Sequence, residues 1–581
     1  MSKRLLLTII LSLTVSVGAW SQSAITDIPK QVNAKDAHIR DIGMAACDVL
    51  KWAVEDSITH QVDTLFTVDS YILWQSNGDI DEQAQARRKR GIKAASSRTK
   101  AVSEFGRTGS LVDGWLAQYH YYVFIYDYPS VDADGKPVTL SSIGACPRFD
   151  ETSHVQDVVI GTHITITANR ECPTNTTDGF AETDWGLLFS LAGGPKITLG
   201  ENTNIVMGIV TFFTGWIGAA IWAGVGIATE VAQSEPSNNY NLVIMPDYEG
   251  YGLTVNRSHP YLYQELTARQ VVDATRYGIA LYKDLYPNGS RAPLREDFRT
   301  ISCGYSQGGS VALATHRFIE QNNLTDELHF AGSICGDGPY DPMSTLMYYV
   351  EQDLKGKAMS MPVVLPLIVK GMLDSNPYMR GHKAEDYFQQ EFLDTGIMDW
   401  LTQKQKSTDD IENAWASQAS SGEWTIFEPN GKIKMRNIMN QQCYQYFVDL
   451  YNANKDTYTQ KAGIPLPSHR GIMEDLHLAL ASNDMTKGWT PAHAILLFHS
   501  TDDTVVPYVN ATKAKNSLGN WAVLHPSSLG HDHVASGTDF FKSDNNWQLV
   551  KKLDLRLFIA KKKVCDLPWS GQTTSSIPQS W

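Results

Sequence analysis

Short apolar runs bounded by glycine or polar residues recur through the middle and the last third of the chain. Such runs are typical of strands that are buried on both faces of a parallel sheet. Several of them are followed by apolar residues at helical spacing, and this alternation favours an α/β fold with a mostly parallel central sheet and helices on both faces. The runs that predict strands are Val158–Ile164, 242–246, Phe298–Cys303, Phe330–Cys335, Ala494–His499 and Trp521–His525.

Helical spacing of apolar residues dominates two further parts of the chain. Near the N-terminus the pattern over Ala34–Val54 predicts a helix, so we expect a helical extension ahead of the sheet. A second helical region lies between the strand that ends at Cys335 and the strand that begins at Ala494. Its helical segments are Met343–Val350, Val363–Leu373 and Asp386–Leu401.

A glycine-rich turn joins the predicted strand Phe298–Cys303 to a helix. Residues 304–308 read Gly-Tyr-Ser-Gln-Gly, which has the form G-x-S-x-G. In this strand–turn–helix context the serine sits in a strained backbone conformation, and a Cβ at either glycine would clash with neighbouring elements. The pattern therefore favours Ser306 as a nucleophile.

A nucleophilic serine needs an acid that orients its base, and acidic residues follow the strand Ala494–His499. Asp502 and Asp503 lie in the polar turn after this strand, at the sheet edge where functional groups gather. We favour Asp503 as the acid. Asp502 stays open as an alternative, and the unused carboxylate would cap the next helix.

The base is expected last in the chain, after the predicted strand Trp521–His525. His531 and His533 both lie in the following turn, and either could accept the serine proton. We favour His533, because residues 534–541 resemble a helix start that would fix its backbone. The order serine, acid, histidine is that of α/β-hydrolases and not that of chymotrypsin or subtilisin.

Several motifs of the chain resemble the secretory lipase family of the α/β-hydrolase superfamily. The resemblance covers about residues 115–340 and 490–560. Ser500 departs from the family pattern, in which many members carry glycine after the strand-ending histidine. The segments that carry the resemblance are Val243–Gly252, His259–Leu262, Ala268–Gly278, Gly304–Gly308 and His499–Pro507.

This resemblance implies an α/β-hydrolase fold in which a helical cap covers the site of Ser306. It also implies Ser306 as nucleophile, Asp503 as acid and a terminal histidine as base. The pair Gly530–His531 fits a pattern common in such enzymes, so the choice between His531 and His533 stays open.

Acyl transfer also needs donors for an oxyanion. One donor is the backbone N–H of Gln307, directly after the nucleophile. We place the second in the backbone at His163–Ile164, although Ile164 stands where related hydrolases have glycine.

Composition narrows the function further. The 581 residues carry a formal net charge of −14, which argues against nucleic acid partners and against strong binding to anionic membranes. The sequence contains no Walker loop, no Rossmann glycine fingerprint and no paired Cys/His metal spacing. We therefore predict an acyl hydrolase that uses neither a cofactor nor a metal.

The N-terminus has the pattern of a cleavable signal peptide over residues 1–21. Lys3 and Arg4 precede an apolar stretch that is short for a membrane span, and small residues follow at the cleavage positions. We therefore expect a secreted or periplasmic protein, in which disulfides are permitted. Among the seven cysteines, Cys146 and Cys172 are a plausible pair, whereas Cys303 and Cys335 lie in predicted buried strands.

Residues 205–229 are strongly apolar and carry no charged side chain. Their length meets the criterion for a membrane span, but a single crossing would place two strands of one sheet on opposite sides of the bilayer. Three interpretations remain: a buried helical hairpin, a lipid-facing lid or interfacial helix, and a core-like composition without such a role.

Taken together, these patterns predict a secreted serine hydrolase that cleaves carboxylic esters, with a lipidic small molecule as substrate. A serine peptidase of the prolyl-oligopeptidase type and a non-catalytic surface binding protein are the alternatives. The predicted regions are a signal peptide (1–21), a helical extension (22–112), the first part of the hydrolase core (113–340), a helical cap (341–490), the second part of the core (491–566) and a tail (567–581).

Overall fold

The structure is a computed structural model of the chain. The predicted signal peptide, the apolar segment 205–229 and the predicted tail lie outside the described residues. The described residues are 25–56, 62–74, 109–147, 155, 157–175, 241–288, 290, 293–428, 431–528 and 530–542.

Within the described residues, ten strands form one mixed sheet. These are β1 (His38–Asp56), β2 (Val62–Trp74), β3 (Gly109–Val131), β4 (Pro137–Pro147), β5 (Asp157–Thr162), β6 (Asn241–Pro246), β7 (Thr300–Tyr305), β8 (Phe330–Gly336), β9 (Ala494–Ser500) and β10 (Ala522–Ser527). Their order across the sheet is β10-β9-β8-β7-β5-β6-β4-β3-β1-β2. Strands β5 to β10 pair in parallel, and β1 to β4 extend the sheet in antiparallel fashion beyond β6.

The prediction of a helix over Ala34–Val54 is wrong. Most of this segment belongs to β1, which pairs with β2 on one side and with β3 on the other. The described part of the predicted helical extension therefore adds strands to the sheet. The helical spacing of apolar residues over Ala34–Val54 reflects only neighbouring residues. Pairing with β3, which lies far along the chain, decides the structure instead.

Thirteen α-helices occur within the described ranges. They are α1 (Gln264–Leu285), α2 (Gln307–Gln321), α3 (Thr325–Leu328), α4 (Pro342–Leu354), α5 (Val364–Ser375), α6 (Gln390–Leu393), α7 (Ile397–Gln403), α8 (Thr408–Ser421), α9 (Met435–Ile438), α10 (Gln441–Asn454), α11 (Ile472–Ala481), α12 (Val509–Leu518) and α13 (His533–Lys542). Among these described helices, none combines the length and apolar character that crossing a membrane requires.

Helices cover both faces of the parallel part of the sheet. Leu497 of β9 belongs to the apolar core that α1, α2 and α12 share, whereas its neighbour Phe498 contacts Phe540 of α13. Successive side chains of a strand point to opposite faces, so α13 packs against the face opposite to α12. The predicted α/β arrangement is therefore observed.

A helical insertion, α4 to α11, lies between β8 and β9 and has an apolar core of its own. Two of its predicted helical segments fall in α4 and α5. The third, Asp386–Leu401, is broken into the end of a 3₁₀ turn and the short helices α6 and α7. Gly396, which adopts a left-handed conformation (φ +88°) directly before α7, separates α6 from α7. Val505 and Val506, which follow β9, join this second core.

The suggested pairing of Cys146 with Cys172 is not found. Both cysteines are buried and neither forms a disulfide, and the Sγ of Cys146 lies 3.3 Å from the hydroxyl of Tyr282 instead. Cys303 and Cys335 are buried in β7 and β8, as their apolar surroundings in the sequence indicate.

Candidate active site

Ser306 occupies a sharp turn between β7 and α2. Its backbone has φ +58° and ψ −124°, a strained conformation for a residue with a side chain. A Cβ on Gly304 would lie 2.1 Å from the Oγ1 of Thr162, and a Cβ on Gly308 would lie 2.0 Å from the carbonyl oxygen of Thr162. The two glycines therefore let β5 approach the turn, which has the geometry expected of a nucleophile elbow.

A chain of hydrogen bonds joins the three side chains that the sequence favours. The Nε2 of His533 lies 2.7 Å from the Oγ of Ser306, and its Nδ1 lies 2.6 Å from the Oδ2 of Asp503. All three residues are buried, with Ser306 at 7% exposure. The imidazole can thus accept the serine proton at Nε2 while its other nitrogen donates to a carboxylate.

Separate parts of the chain hold Asp503 and His533. Asp503 lies in the turn after β9, where its Oδ1 accepts hydrogen bonds from the backbone N–H groups of Val505 and Val506, both at 2.8 Å. His533 is the first residue of α13. The two backbone hydrogen bonds fix the carboxylate of Asp503, so that its Oδ2 faces the imidazole of His533.

Electrostatics suit the imidazole to act as a base. Burial alone would lower the pKa of His533, but the charge and hydrogen bond of Asp503 raise it above its ordinary value. Burial alone would likewise raise the pKa of Asp503, yet His533 lowers it. The carboxylate therefore stays charged and stabilises the protonated imidazole.

Asp337 is a second buried carboxylate at this site, and it lies outside the motifs of the sequence. Its Oδ2 lies 2.7 Å from the Oγ of Ser536 and 2.8 Å from the hydroxyl of Tyr305, and its Oδ1 accepts the N–H of Ser500 at 3.2 Å. The Tyr305 hydroxyl also lies 2.6 Å from the carbonyl oxygen of His533. Asp337 thereby braces the start of α13, which carries His533.

Burial raises the pKa of Asp337 to about 6, with Asp503 adding to that effect and His499 opposing it. The sequence does contain one indication of Asp337. This residue directly follows the strand β8, so it lies at the same sheet edge as Ser306. Asp337, Asp503 and His533 lie close enough together to hold a metal ion. Their oxygens and nitrogens, however, are already engaged by protein groups that suit acid–base work.

The two alternatives for acid and base occupy different surroundings. Asp502 is exposed, and its Oδ2 accepts a hydrogen bond from the hydroxyl of Thr501. His531 is half-buried, and its backbone carbonyl accepts a hydrogen bond from the Oγ of Ser500. The structure therefore brings Asp503 and His533, rather than Asp502 and His531, to Ser306.

The expected oxyanion donors lie next to the elbow. Gln307 is the first residue of α2, and its side-chain Nε2 lies 3.0 Å from the Nε2 of His259. The carbonyl of Ile164 accepts from the Nδ1 of His163 at 2.7 Å, and the ring of His163 stacks on Tyr248 at 3.9 Å. The role of Ile164 as second donor stays a prediction.

A narrow, largely apolar cavity opens at Ser306. Tyr261, Leu262 and Val505, which lie outside the insertion in the sequence, line one side of the cavity, and the helical insertion covers it from the other side. The insertion residues that line it are Pro342, Thr345, Tyr349, Met361, Val364, Ile368 and Thr408. A second apolar cavity deeper in the insertion shares three of these residues, namely Pro342, Tyr349 and Ile368.

Comparisons with known proteins bear on the fold. No protein-family model and no curated protein matches the chain. Similar solved structures include a presumed hydrolase from Legionella pneumophila, with a TM-score of 0.50, 16% identity, and coverage of 75% of this chain and 90% of the other.

Two further structures are similar at a lower level. The rice cell wall degrading esterase LipA from Xanthomonas oryzae has a TM-score of 0.49 and 18% identity, with 80% and 96% of the two chains covered. Candida antarctica lipase A in its closed state has a TM-score of 0.41 and 12% identity, with 76% and 88% covered. At such low identities only the fold can be compared. The strand order, the elbow between β7 and α2 and the likeness to the Legionella structure agree, and the chain therefore has the α/β-hydrolase fold that its motifs predict.

Proposed function

We propose that the chain is a serine hydrolase that cleaves carboxylic esters through an acyl-enzyme. The observation that carries this proposal is the hydrogen-bonded chain from Asp503 through His533 to Ser306 at an apolar cavity. The predicted signal peptide supports a secreted or periplasmic location as part of the same proposal.

In the first half of the reaction, the Oγ of Ser306 attacks the ester carbonyl carbon while the Nε2 of His533 takes the hydroxyl proton. The imidazolium then gives this proton to the departing alkoxide, and an acyl-serine remains. In the second half, His533 takes a proton from water, the resulting hydroxide attacks the acyl carbon, and the proton returns to Ser306. Asp503 stays charged and stabilises the imidazolium in both halves.

The negative oxygen of each tetrahedral intermediate needs preorganised donors. The backbone N–H of Gln307 is free of any helical acceptor because it belongs to the first turn of α2, and the helix N-terminus favours negative charge there. We assign it as one donor. The backbone at Ile164 is the candidate for the second, because Thr165, the next residue, lines the same cavity as Ser306.

The lining of the cavity supports an ester with an apolar acyl part. Leu262, Ile368 and Val506 line the cavity beside Ser306, and no Lys, Arg, Asp or Glu of the described residues does so. Such a surface binds hydrocarbon through burial of apolar area and offers no partner to a charged substrate.

Hydrolysis of p-nitrophenyl esters from acetate to palmitate tests the proposal. The wild type should hydrolyse the esters, and Ser306→Ala should lose on the order of 10⁴-fold or more of kcat. Ser302→Ala is the matched control, because Ser302 is a buried serine of β7, the strand that leads to Ser306, and its hydroxyl donates a hydrogen bond to the carbonyl of Ala312. Its kcat should stay within about threefold of the wild-type value.

A fluorophosphonate probe separates the remaining outcomes, since it reacts covalently with an activated serine. Labelling of Ser306 with turnover of esters supports the proposal. Labelling without ester turnover, together with cleavage of aminoacyl p-nitroanilides, would replace it with a peptidase function. A folded protein that shows neither labelling nor turnover would indicate the binding-protein alternative.

A further inference from the structure

A cluster of two histidines and a glutamate lies outside the candidate active site. His316 and Glu320 are four residues apart on α2 and therefore share one face of that helix. His493 directly precedes β9 and faces them. The Nε2 of His316 lies 3.0 Å from the Oε1 of Glu320, and the Nδ1 of His493 lies 2.7 Å from the same oxygen.

The three side chains converge as metal ligands do. One atom from each, namely two imidazole nitrogens and one carboxylate oxygen, lies within 4.8 Å of the others. Ligands held about 2.0–2.2 Å from a tetrahedral Zn²⁺ lie about 3.3 Å from each other, so outward shifts of a few tenths of an ångström would admit the ion. Two histidines with one glutamate are a ligand set that proteins use for zinc.

The surroundings of the cluster orient its ligands. The Nδ1 of His316 lies 2.8 Å from the Oγ of Ser333 on β8, and the tautomer that donates this hydrogen bond leaves Nε2 for an ion. Glu320 also accepts the backbone N–H of Ala492 at 2.9 and 3.1 Å. Phe330 and Trp489 pack edge-on against His316 and exclude water from its ring.

The cluster is partly open to solvent on the side of His493. His493 keeps 17% of its side chain exposed, so an ion could enter from solvent and retain a water as fourth ligand.

We propose that His316, Glu320 and His493 bind one Zn²⁺, with a water molecule as the fourth ligand. The ion would join α2, which begins directly after Ser306, to the start of β9, whose other end leads to Asp503. Magnesium and calcium prefer oxygen ligands, so neither should compete at two imidazoles. The site is independent of the ester chemistry, because none of its residues contacts the Ser306 cavity in the described part of the chain.

Equilibrium dialysis of the full chain against Zn²⁺, without an affinity tag, tests the site. The wild type should bind about one equivalent, and His493→Gln should bind at least about tenfold more weakly. Glutamine keeps a donor toward Glu320, so the metal-free variant should stay folded. His469→Gln is the matched control, because His469 pairs with Glu474 but is 74% exposed. It should bind zinc as the wild type does.

Two further readouts keep the test independent of esterase activity. Zn²⁺, but not Mg²⁺ or Ca²⁺, should raise the melting temperature of the wild type and of His469→Gln, and should leave that of His493→Gln unchanged. Co²⁺ should give the strong visible absorption of a tetrahedral site, which His493→Gln should lose. Absence of stoichiometric zinc binding, or equal binding by His493→Gln, would overturn the proposal and leave the cluster as a hydrogen-bonded brace.

Discussion

Adjacent aspartates after β9 have unequal surroundings, and the difference is one of backbone geometry. Asp503 turns inward, accepts two backbone N–H groups and faces His533, whereas Asp502 points to solvent. The position of these residues after a predicted strand limits the candidates for the acid to Asp502 and Asp503. It could not separate them, because which of two neighbours points inward depends on the turn that follows.

Replacement of each aspartate by asparagine should resolve their roles. Asp503→Asn should lower kcat on the order of 10⁴-fold, since an amide cannot stabilise the imidazolium and favours the wrong tautomer of His533. Asp502→Asn, the matched control, should stay within about twofold of the wild type. Steady-state kinetics on p-nitrophenyl butyrate measures both, and a large loss in Asp502→Asn would reverse the assignment.

The pH dependence of activity should reflect the pKa of His533. Its imidazole acts as a base only when neutral, so kcat/KM should rise with pH through the pKa of the free enzyme. Because Asp503 raises this pKa, the midpoint should lie above the ordinary histidine value of about 6.5. A midpoint clearly below 6.5 would contradict the charge pairing between Asp503 and His533.

Asp337 should have two separate effects. Its charge should shift the pH profile of activity, and its hydrogen bonds should hold α13 in position. Asp337→Asn keeps an acceptor for Ser500 and removes a charge that raises the pKa of His533, so the midpoint should move to lower pH with a nearly unchanged plateau. Asp337→Ala removes the brace and should also lower the plateau of kcat about tenfold or more. Equal profiles for both variants and the wild type would exclude Asp337 from positioning His533.

At the scale of elements, the local sequence pattern predicts secondary structure most accurately where strand, turn and helix follow each other directly. The elbow between β7 and α2 needs small residues at fixed positions, and those glycines are visible in the sequence. The pattern over Ala34–Val54 predicts a helix wrongly, because β1 forms by pairing with β3, which begins more than fifty residues after β1 ends. Within the insertion, the predicted segments Met343–Val350 and Val363–Leu373 fall inside α4 and α5, whereas the left-handed Gly396 interrupts the third.

Gly308→Ala tests how closely β5 approaches the elbow. The new Cβ would lie 2.0 Å from the carbonyl oxygen of Thr162, which is backbone and cannot rotate away. We expect a loss of about 3 kcal/mol or more in the free energy of unfolding, measured by denaturant titration. Gly356→Ala is the control, because its φ is +81° but no atom lies within 4 Å of its new Cβ. It should lose only about 1 kcal/mol, and equal losses in both variants would contradict the steric explanation.

At the scale of the whole molecule, turns at the edge of the sheet position the proposed catalytic residues, and the insertion supplies most of the surface around them. Ser306 and His533 come from the core, whereas Tyr349 of α4 and Ile368 of α5 face them from the insertion. An insertion at this point of the fold could be predicted from the long helical region between two strands. The residues that line its cavity could not, because they depend on how its helices pack against Val505 and Val506.

The acyl-chain preference should be controlled by the insertion, because its deeper cavity shares Pro342, Tyr349 and Ile368 with the cavity at Ser306. An acyl chain that starts at Ser306 would pass these residues into the deeper cavity. Ile368→Phe should narrow this passage, so kcat/KM for octanoate to palmitate esters should fall at least about tenfold while acetate stays within about threefold. Leu354→Phe on α4 is the control, because Leu354 is 46% exposed and should leave the whole series unchanged. A uniform loss across all chain lengths would place the acyl chain elsewhere, whereas a selective loss of long chains would make the insertion the determinant of substrate length.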